Sequence, residues 1–192
     1  MKSITLPTDE KTMRSLSLGD VVSISGVIYT ARDAAHKHMV EKRPGFLREK
    51  LKGTMIYHCG PIMKRTGKIW EVVAAGPTTS IREEPYEATV IEEFGVRGII
   101  GKGGMGGKTL EALSDFGSVY LAAVGGAAAV LAEAVKRVRG VYFLEEFGIP
   151  EAMWEFEVSD FQATVSMDSH GGSLYDEVAR RSEANYGRLF SG

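Results

Sequence analysis

Short β-branched apolar runs alternate along the chain with segments whose apolar residues recur at helical spacing, and glycine or proline separates one from the next. Gly19-Asp20 is turn chemistry, and the partly alternating run Val21 to Tyr29 behind it predicts a strand. Asp33 is the predicted N-cap of a helix through Ala34, Ala35, His36 and Met39, broken near Pro44-Gly45 and resumed toward Leu51. Gly53 to His58 and Ile69 to Ala74 are predicted strands, the second ending in the turn Gly76-Pro77-Thr78-Thr79-Ser80. Pro85 suits the first turn of a helix through Phe94 that Gly95 closes.

Val96 to Ile100 reads as a strand entering the glycine-rich loop Gly101 to Gly107, followed by a helix through Leu110, Leu113 and Phe116. Ser118 to Val124 predicts a buried strand and Ala127 to Val138 an alanine-rich helix. Val141 to Leu144, Ala152 to Val158 and Ala163 to Met167 are further predicted strands, and Leu174 to Phe190 a terminal amphipathic helix. The class is mixed α/β. With 192 residues, no repeat and no long linker, the chain reads as one domain over 1–192, of which 173–192 forms the terminal helix.

Composition removes several function classes. Hydrophobic residues at 44% and charged residues at 25% exclude intrinsic disorder, and no apolar run nears the ~18 residues of a membrane span. The 23 Lys and Arg against 25 Asp and Glu leave a net charge of -2, so no broad attraction to a nucleic-acid backbone is expected. Met1 to Thr5 carries no secretion signal, which makes a cytoplasmic location the expectation. The single cysteine, Cys59, excludes an internal disulfide and a self-sufficient iron–sulfur site, and reads as a small buried residue. His36, His38, His58 and His170 lack metal-ligand spacing, since a helix turns positions 36 and 38 to different faces. Trp70 and Trp154 fit strand patterns and are predicted core.

The loop Gly101 to Thr109 is the loudest local signal. Gly101, Gly103 and Gly106 match G-x-G-x-x-G between a strand and a helix, but the next strand ends without the carboxylate that binds ribose. Gly107-Lys108-Thr109 resembles the end of a Walker A loop, yet Lys102 stands where its first glycine belongs. Three readings stay open: a nucleotide site, a structural turn, and an anionic substrate on the helix amino end. Arg32, Arg82 and Lys102 all follow predicted strands. In α/β folds ligands bind at the carboxyl ends of strands, so these cations together suit a small acid with two carboxylates. Singly, each is more readily explained as a solvated surface residue or an ion-pair partner.

Four segments taken in order carry a resemblance: Leu16 to Val22, Tyr29 to His36, Gly76 to Arg82 and Gly101 to Gly106. They resemble the beta subunit of class I fumarase and L-tartrate dehydratase, which forms the carboxyl-terminal domain in one-chain versions. The resemblance runs from Ile4 to Tyr175 and implies a swivelling β/β/α domain. It implies a hydro-lyase acting on a hydroxy-dicarboxylic acid, fumarate and L-malate being favoured over L-tartrate, within a larger oligomer. It further implies a cysteine-bearing alpha subunit that ligates a 4Fe-4S cluster and shares the site. Matched residue by residue, Arg32, Arg82 and Lys102 would bind substrate, and Thr78 would stand beside the reacting carbon. Two positions depart from the family pattern: Glu83 where methionine is expected, and Gln162 where proline is expected. Glu83 turned inward would weaken binding of a dianion, and turned outward would change little. The competing reading is a stand-alone nucleotide- or organic-acid-binding module built on the Gly101 to Thr109 loop.

Overall fold

The computed structural model describes residues 1–190, with side chains through residue 186. The chain opens with β1 (Lys2–Thr5) and α1 (Glu10–Arg14), then β2 (Val21–Thr30), α2 (Asp33–Lys42), α3 (Gly45–Leu51) and β3 (Met55–Tyr57). A hairpin of β4 (Ile62–Thr66) and β5 (Ile69–Ala74) leads through a single 3-10 turn at Ser80–Glu83 into α4 (Glu84–Phe94). Next come β6 (Gly98–Gly101), α5 (Gly107–Phe116), β7 (Val119–Ala122), α6 (Ala128–Glu133) and β8 (Val135–Tyr142). A short helix α7 (Leu144–Phe147), the long strand β9 (Met153–Met167) and α8 (Leu174–Phe190) complete the described residues.

Strand pairing closes on itself. β2, β3, β6 and β7 run parallel in that order, and β9 runs antiparallel to both β7 and β2, so five strands form a ring. β1 extends the edge of β2, and β8 that of β9. Alternation along the strands sends Val22, Ile24, Ile28, Tyr57, Leu121 and Phe156 into one core. The opposite faces, through Ile56, Ile99 and Tyr120, pack against Met39, Leu51, Ile91 and Leu113 of the helices. Because the four strands are parallel, their carboxyl ends lie together, and the segments leaving them carry Arg32, His58 to Gly60, Lys102 and Val124.

Several expectations are corrected. The helix expected over Ala127 to Val138 is short, and Val135 to Tyr142 is a strand, because Val135, Val138 and Val141 gain cross-strand partners on β9. The strand expected at Val141 to Leu144 ends at Tyr142 and turns into α7. Ala152 to Val158 and Ala163 to Met167 are one strand, continued past a register shift at Asp160, whose φ is 57°. The N-cap of α2 is Arg32; Asp33 is the first helical residue, where its charge still favours the helix amino end. β1, α1 and β4 were not anticipated: each is too short for periodicity to register. Trp154 is fully buried, with Trp70 edge-on at 5.0 Å between ring centroids, which ties the hairpin to the ring.

Candidate functional site

The four residues singled out by sequence lie on segments that are hydrogen-bonded to one another at the carboxyl ends of the parallel strands. The Thr78 amide donates to the His58 carbonyl at 2.8 Å, and Ser80 donates to the Lys102 carbonyl at 2.9 Å. Isolated bridges join Cys59 to Pro77 and Thr79 to Lys102. Arg32 packs over Gly60 so closely that a β-carbon there would sit 2.8 Å from a guanidinium nitrogen.

Arg32 pairs with Glu151 at 3.1 Å, yet its Nε is buried without a partner. Arg82, about half exposed, pairs with Asp33. Lys102 is exposed, and among the described residues its amine has no ion-pair partner. The Thr78 hydroxyl is buried and also lacks a partner. An unpartnered buried hydroxyl costs free energy unless something else satisfies it. Three of the four residues thus hold unspent hydrogen-bonding capacity.

Glu83 points inward and is only 1% exposed. Burial first, then a hydrogen bond to Asp33, pushes its carboxyl up to about 8, so it is neutral at pH 7. Burial works against ionisation of the neighbouring Asp33, yet Glu83 and Arg82 hold its carboxyl below the usual range. The inward acid therefore adds no charge at neutral pH. Gln162 is an exposed position of β9 paired with Ser23.

The glycine-rich loop binds an anion, but an internal one. Glu84 accepts from the amides of Gly106 at 2.7 Å, Lys108 at 3.1 Å and Thr109 at 3.3 Å, and from the Thr109 hydroxyl at 2.6 Å. A β-carbon on Gly106 would come within 2.5 Å of that carboxylate. The amino end of α5 is therefore already capped by a carboxylate of the chain itself, which speaks against the reading of this loop as a phosphate or free-acid cradle. The glycines serve close packing.

Sequence reasoning missed a buried polar cluster directly beneath these segments. His36, His58 and Glu87 are all fully buried, with ligand atoms within 4.8 Å of one another, and Ser80 and Tyr120 join them. The signal was present as polar residues on apolar helix faces: His36 beside Ala35 and Met39, and Glu87 beside Val90 and Ile91. Elsewhere His38 stacks on Phe143 and Phe147, and His170 meets the Arg14 carbonyl. Burial pushes the Cys59 thiol up to about 12. One buried, protonated thiol cannot hold an iron–sulfur cluster, so the residues of this chain do not fit that group.

Comparison with known proteins gives a consistent picture. The family model described as "Fumarase C-terminus" matches residues 1–178. A putative fumarate hydratase class I of Geobacillus stearothermophilus is 53% identical over 177 residues, 92% of this chain and 34% of the relative. The chain thus spans about a third of that relative's length. A putative L(+)-tartrate dehydratase subunit beta of Methanocaldococcus jannaschii is 48% identical over 90% of both chains. The L(+)-tartrate dehydratase subunit beta of Escherichia coli K12 is 37% identical over 92% of this chain and 87% of the relative.

Proposed function

The chain belongs to the fumarase C-terminus family, and from that premise we propose that it is the beta-type half of a hydro-lyase acting on a small hydroxy-dicarboxylic acid. Its substrate is fumarate or L-malate in preference to L-tartrate, in keeping with the 53% identity to a fumarate hydratase against 48% and 37% to the two tartrate dehydratase subunits. The 4Fe-4S cluster expected of such enzymes belongs to a cysteine-bearing alpha partner, since the thiol complement here excludes it.

One observation carries the reading: among the described residues Arg32 Nε and the Thr78 hydroxyl are buried without partners, and the Lys102 amine has no ion-pair partner, on mutually bonded segments. Dehydration takes a proton from a carbon beside a carboxylate and hydroxide from the adjacent carbon, leaving a double bond and water. Charge develops on the carboxylate next to the deprotonated carbon, so fixed cations there lower the barrier. Arg32 and Arg82 offer planar donor forks suited to a carboxylate, with donors left after their ion pairs with Glu151 and Asp33, and Lys102 supplies a point charge. Thr78 would stand beside the reacting carbon. At neutral pH its hydroxyl is un-ionised, so it donates and orients there, and abstraction requires a second, basic group.

The test is anaerobic purification of the tagged chain from its native cells, followed by parallel assays of fumarate hydration and L-tartrate dehydration on whatever assembles. A multi-cysteine partner arriving with iron, and a higher kcat/KM for fumarate, support the proposal. Lys102→Ala in that complex is expected to lower kcat/KM roughly tenfold to a hundredfold, the worth of one charged hydrogen bond of about 1.5–3 kcal/mol. Purification without partner or iron, and with neither activity, overturns it.

A further inference from the structure

Glu87 receives two imidazoles on one oxygen: His58 Nε2 lies 2.9 Å and His36 Nε2 3.2 Å from its Oε2. The donor and acceptor roles around this carboxylate are set by chemistry. His36 Nδ1 is 3.0 Å from the Arg32 carbonyl, which only accepts, so that nitrogen carries a proton. Its Nε2 makes no aligned hydrogen bond but lies at ion-pair distance from an ionised carboxylate, and a fully buried carboxylate that close favours the imidazolium form of His36. Ser80 Oγ takes the Tyr120 hydroxyl at 2.8 Å and the Lys102 amide at 3.2 Å. With both lone pairs used, the Ser80 proton goes to His58 Nδ1 at 2.9 Å, leaving His58 neutral and donating through Nε2. Tyr120 in turn accepts from the Gly104 amide at 3.3 Å.

The contacts run from the Arg32 carbonyl to the Gly104 amide, hydrogen bonds throughout except for the ion pair between His36 and Glu87, and carry one positive and one negative charge. We propose that Glu87 is a positioning residue of the dicarboxylate site, joining His36 and His58 into one buried network that holds the segments bearing Arg32, Arg82 and Lys102 at fixed mutual distances. The proposal rests on reading those segments as the substrate site; the protonation pattern does not.

The surrounding charges agree with the assignment. Burial opposes charge on His36, but the ionised Glu87 outweighs it and raises the imidazole. Burial also leads at His58, which is lowered. Burial resists ionisation of Glu87, yet the two imidazoles hold its carboxyl low. The other groups facing the cluster are Asp33, Arg82, the Tyr120 phenol, raised by burial, and Glu83, neutral at pH 7. The same three residues could in principle ligate a metal ion, but both nitrogens aimed at Glu87 carry protons in this arrangement, and none of the three is exposed. A network of this kind matters because a misplacement of about 1 Å in binding groups costs up to roughly a hundredfold in rate.

The first measurement is long-range proton–nitrogen correlation on the full chain labelled with 15N-histidine, together with its zinc content. The expected result is a His36 imidazolium at pH 7, a His58 Nε2–H tautomer and no zinc. A neutral His36 at pH 7, or one zinc per chain, overturns the network. The second is Glu87→Gln in the assembled complex, which keeps the side-chain shape and removes the charge. KM for the dicarboxylate is expected to rise about tenfold, with a smaller change in kcat, and His36 to become neutral. A purely structural role would lower the yield of folded enzyme and leave KM alone, so an unchanged KM in the folded variant overturns the positioning role. Should Glu87→Gln fail to fold, the histidine spectrum of the unmodified chain still decides the network. Inactivity of the unmodified complex would strike the functional reading instead, and the spectrum separates the two failures.

Discussion

Thr78 and Glu83 sit five residues apart and spend their polar atoms in opposite ways. The Thr78 hydroxyl is buried with no partner, so Thr78→Val removes a group that the fold does not use. Thermal stability is expected to stay the same or rise slightly by calorimetry. In the assembled complex kcat/KM should fall roughly tenfold, the scale of losing one neutral hydrogen bond of about 1.5 kcal/mol. Glu83 titrates instead. Its carboxyl is held at about 8 against an ordinary 4.5, so between those values the native state keeps a proton that the unfolded chain has released. Stability therefore declines as pH rises through this window, and above about 8 a negative charge appears beside Asp33 and Arg82. Glu83→Gln should flatten the decline in Tm between about pH 4.5 and 8 and abolish a several-fold rise in KM between pH 7 and 9. Equal pH profiles for the variant and the unmodified protein would show that Glu83 is already ionised. The oddity of Glu83 was legible in the sequence as a departure from the family pattern. Its neutrality was not, because a pKa depends on what burial brings near the group.

At the scale of elements, α5 shows how a familiar motif can mislead. The glycines of Gly101 to Gly107 sit between strand and helix as a phosphate loop requires, but the anion at the helix amino end is Glu84 from the preceding helix. Glu84→Ala is expected to cost about 2 kcal/mol and lower Tm by roughly 4–8 °C, as loss of a charged cap does. ATP and nicotinamide dinucleotides should give no thermal shift with the unmodified chain; a shift would mean that the cap yields to phosphate. Helices α2, α4 and α5 and strands β2, β5, β6 and β7 were legible because each combines a clear period with a glycine, proline or acidic boundary. Val135 to Tyr142 was not. Its valines at 135, 138 and 141 satisfy a helical spacing equally well, and only the edge of β9 decides for the strand.

The whole molecule is organised by the ring β2-β3-β6-β7-β9, whose closure leaves the hairpin of β4 and β5 as a separate two-stranded sheet. Amides of β3, β6 and β7 are buried on both faces, whereas most positions of the hairpin are exposed or half-buried. Hydrogen exchange should therefore be slowest in β3, β6 and β7 and at least roughly a hundredfold faster in β4 and β5; comparable rates would show that the hairpin unfolds only with the ring. Sequence alone determined the mixed α/β class and the positions of most boundaries, because local periodicity and turn chemistry are written in adjacent residues, and its ordered motifs nominated Arg32, Thr78, Arg82 and Lys102 as candidates. Tertiary structure alone decided that β9 closes the ring, that Glu84 caps α5, and that His36, His58 and Glu87 meet in one buried cluster. Those contacts join residues that are 20 or more positions apart, and what selects them is the cost of leaving a strand edge, a helix end or a buried charge without a partner.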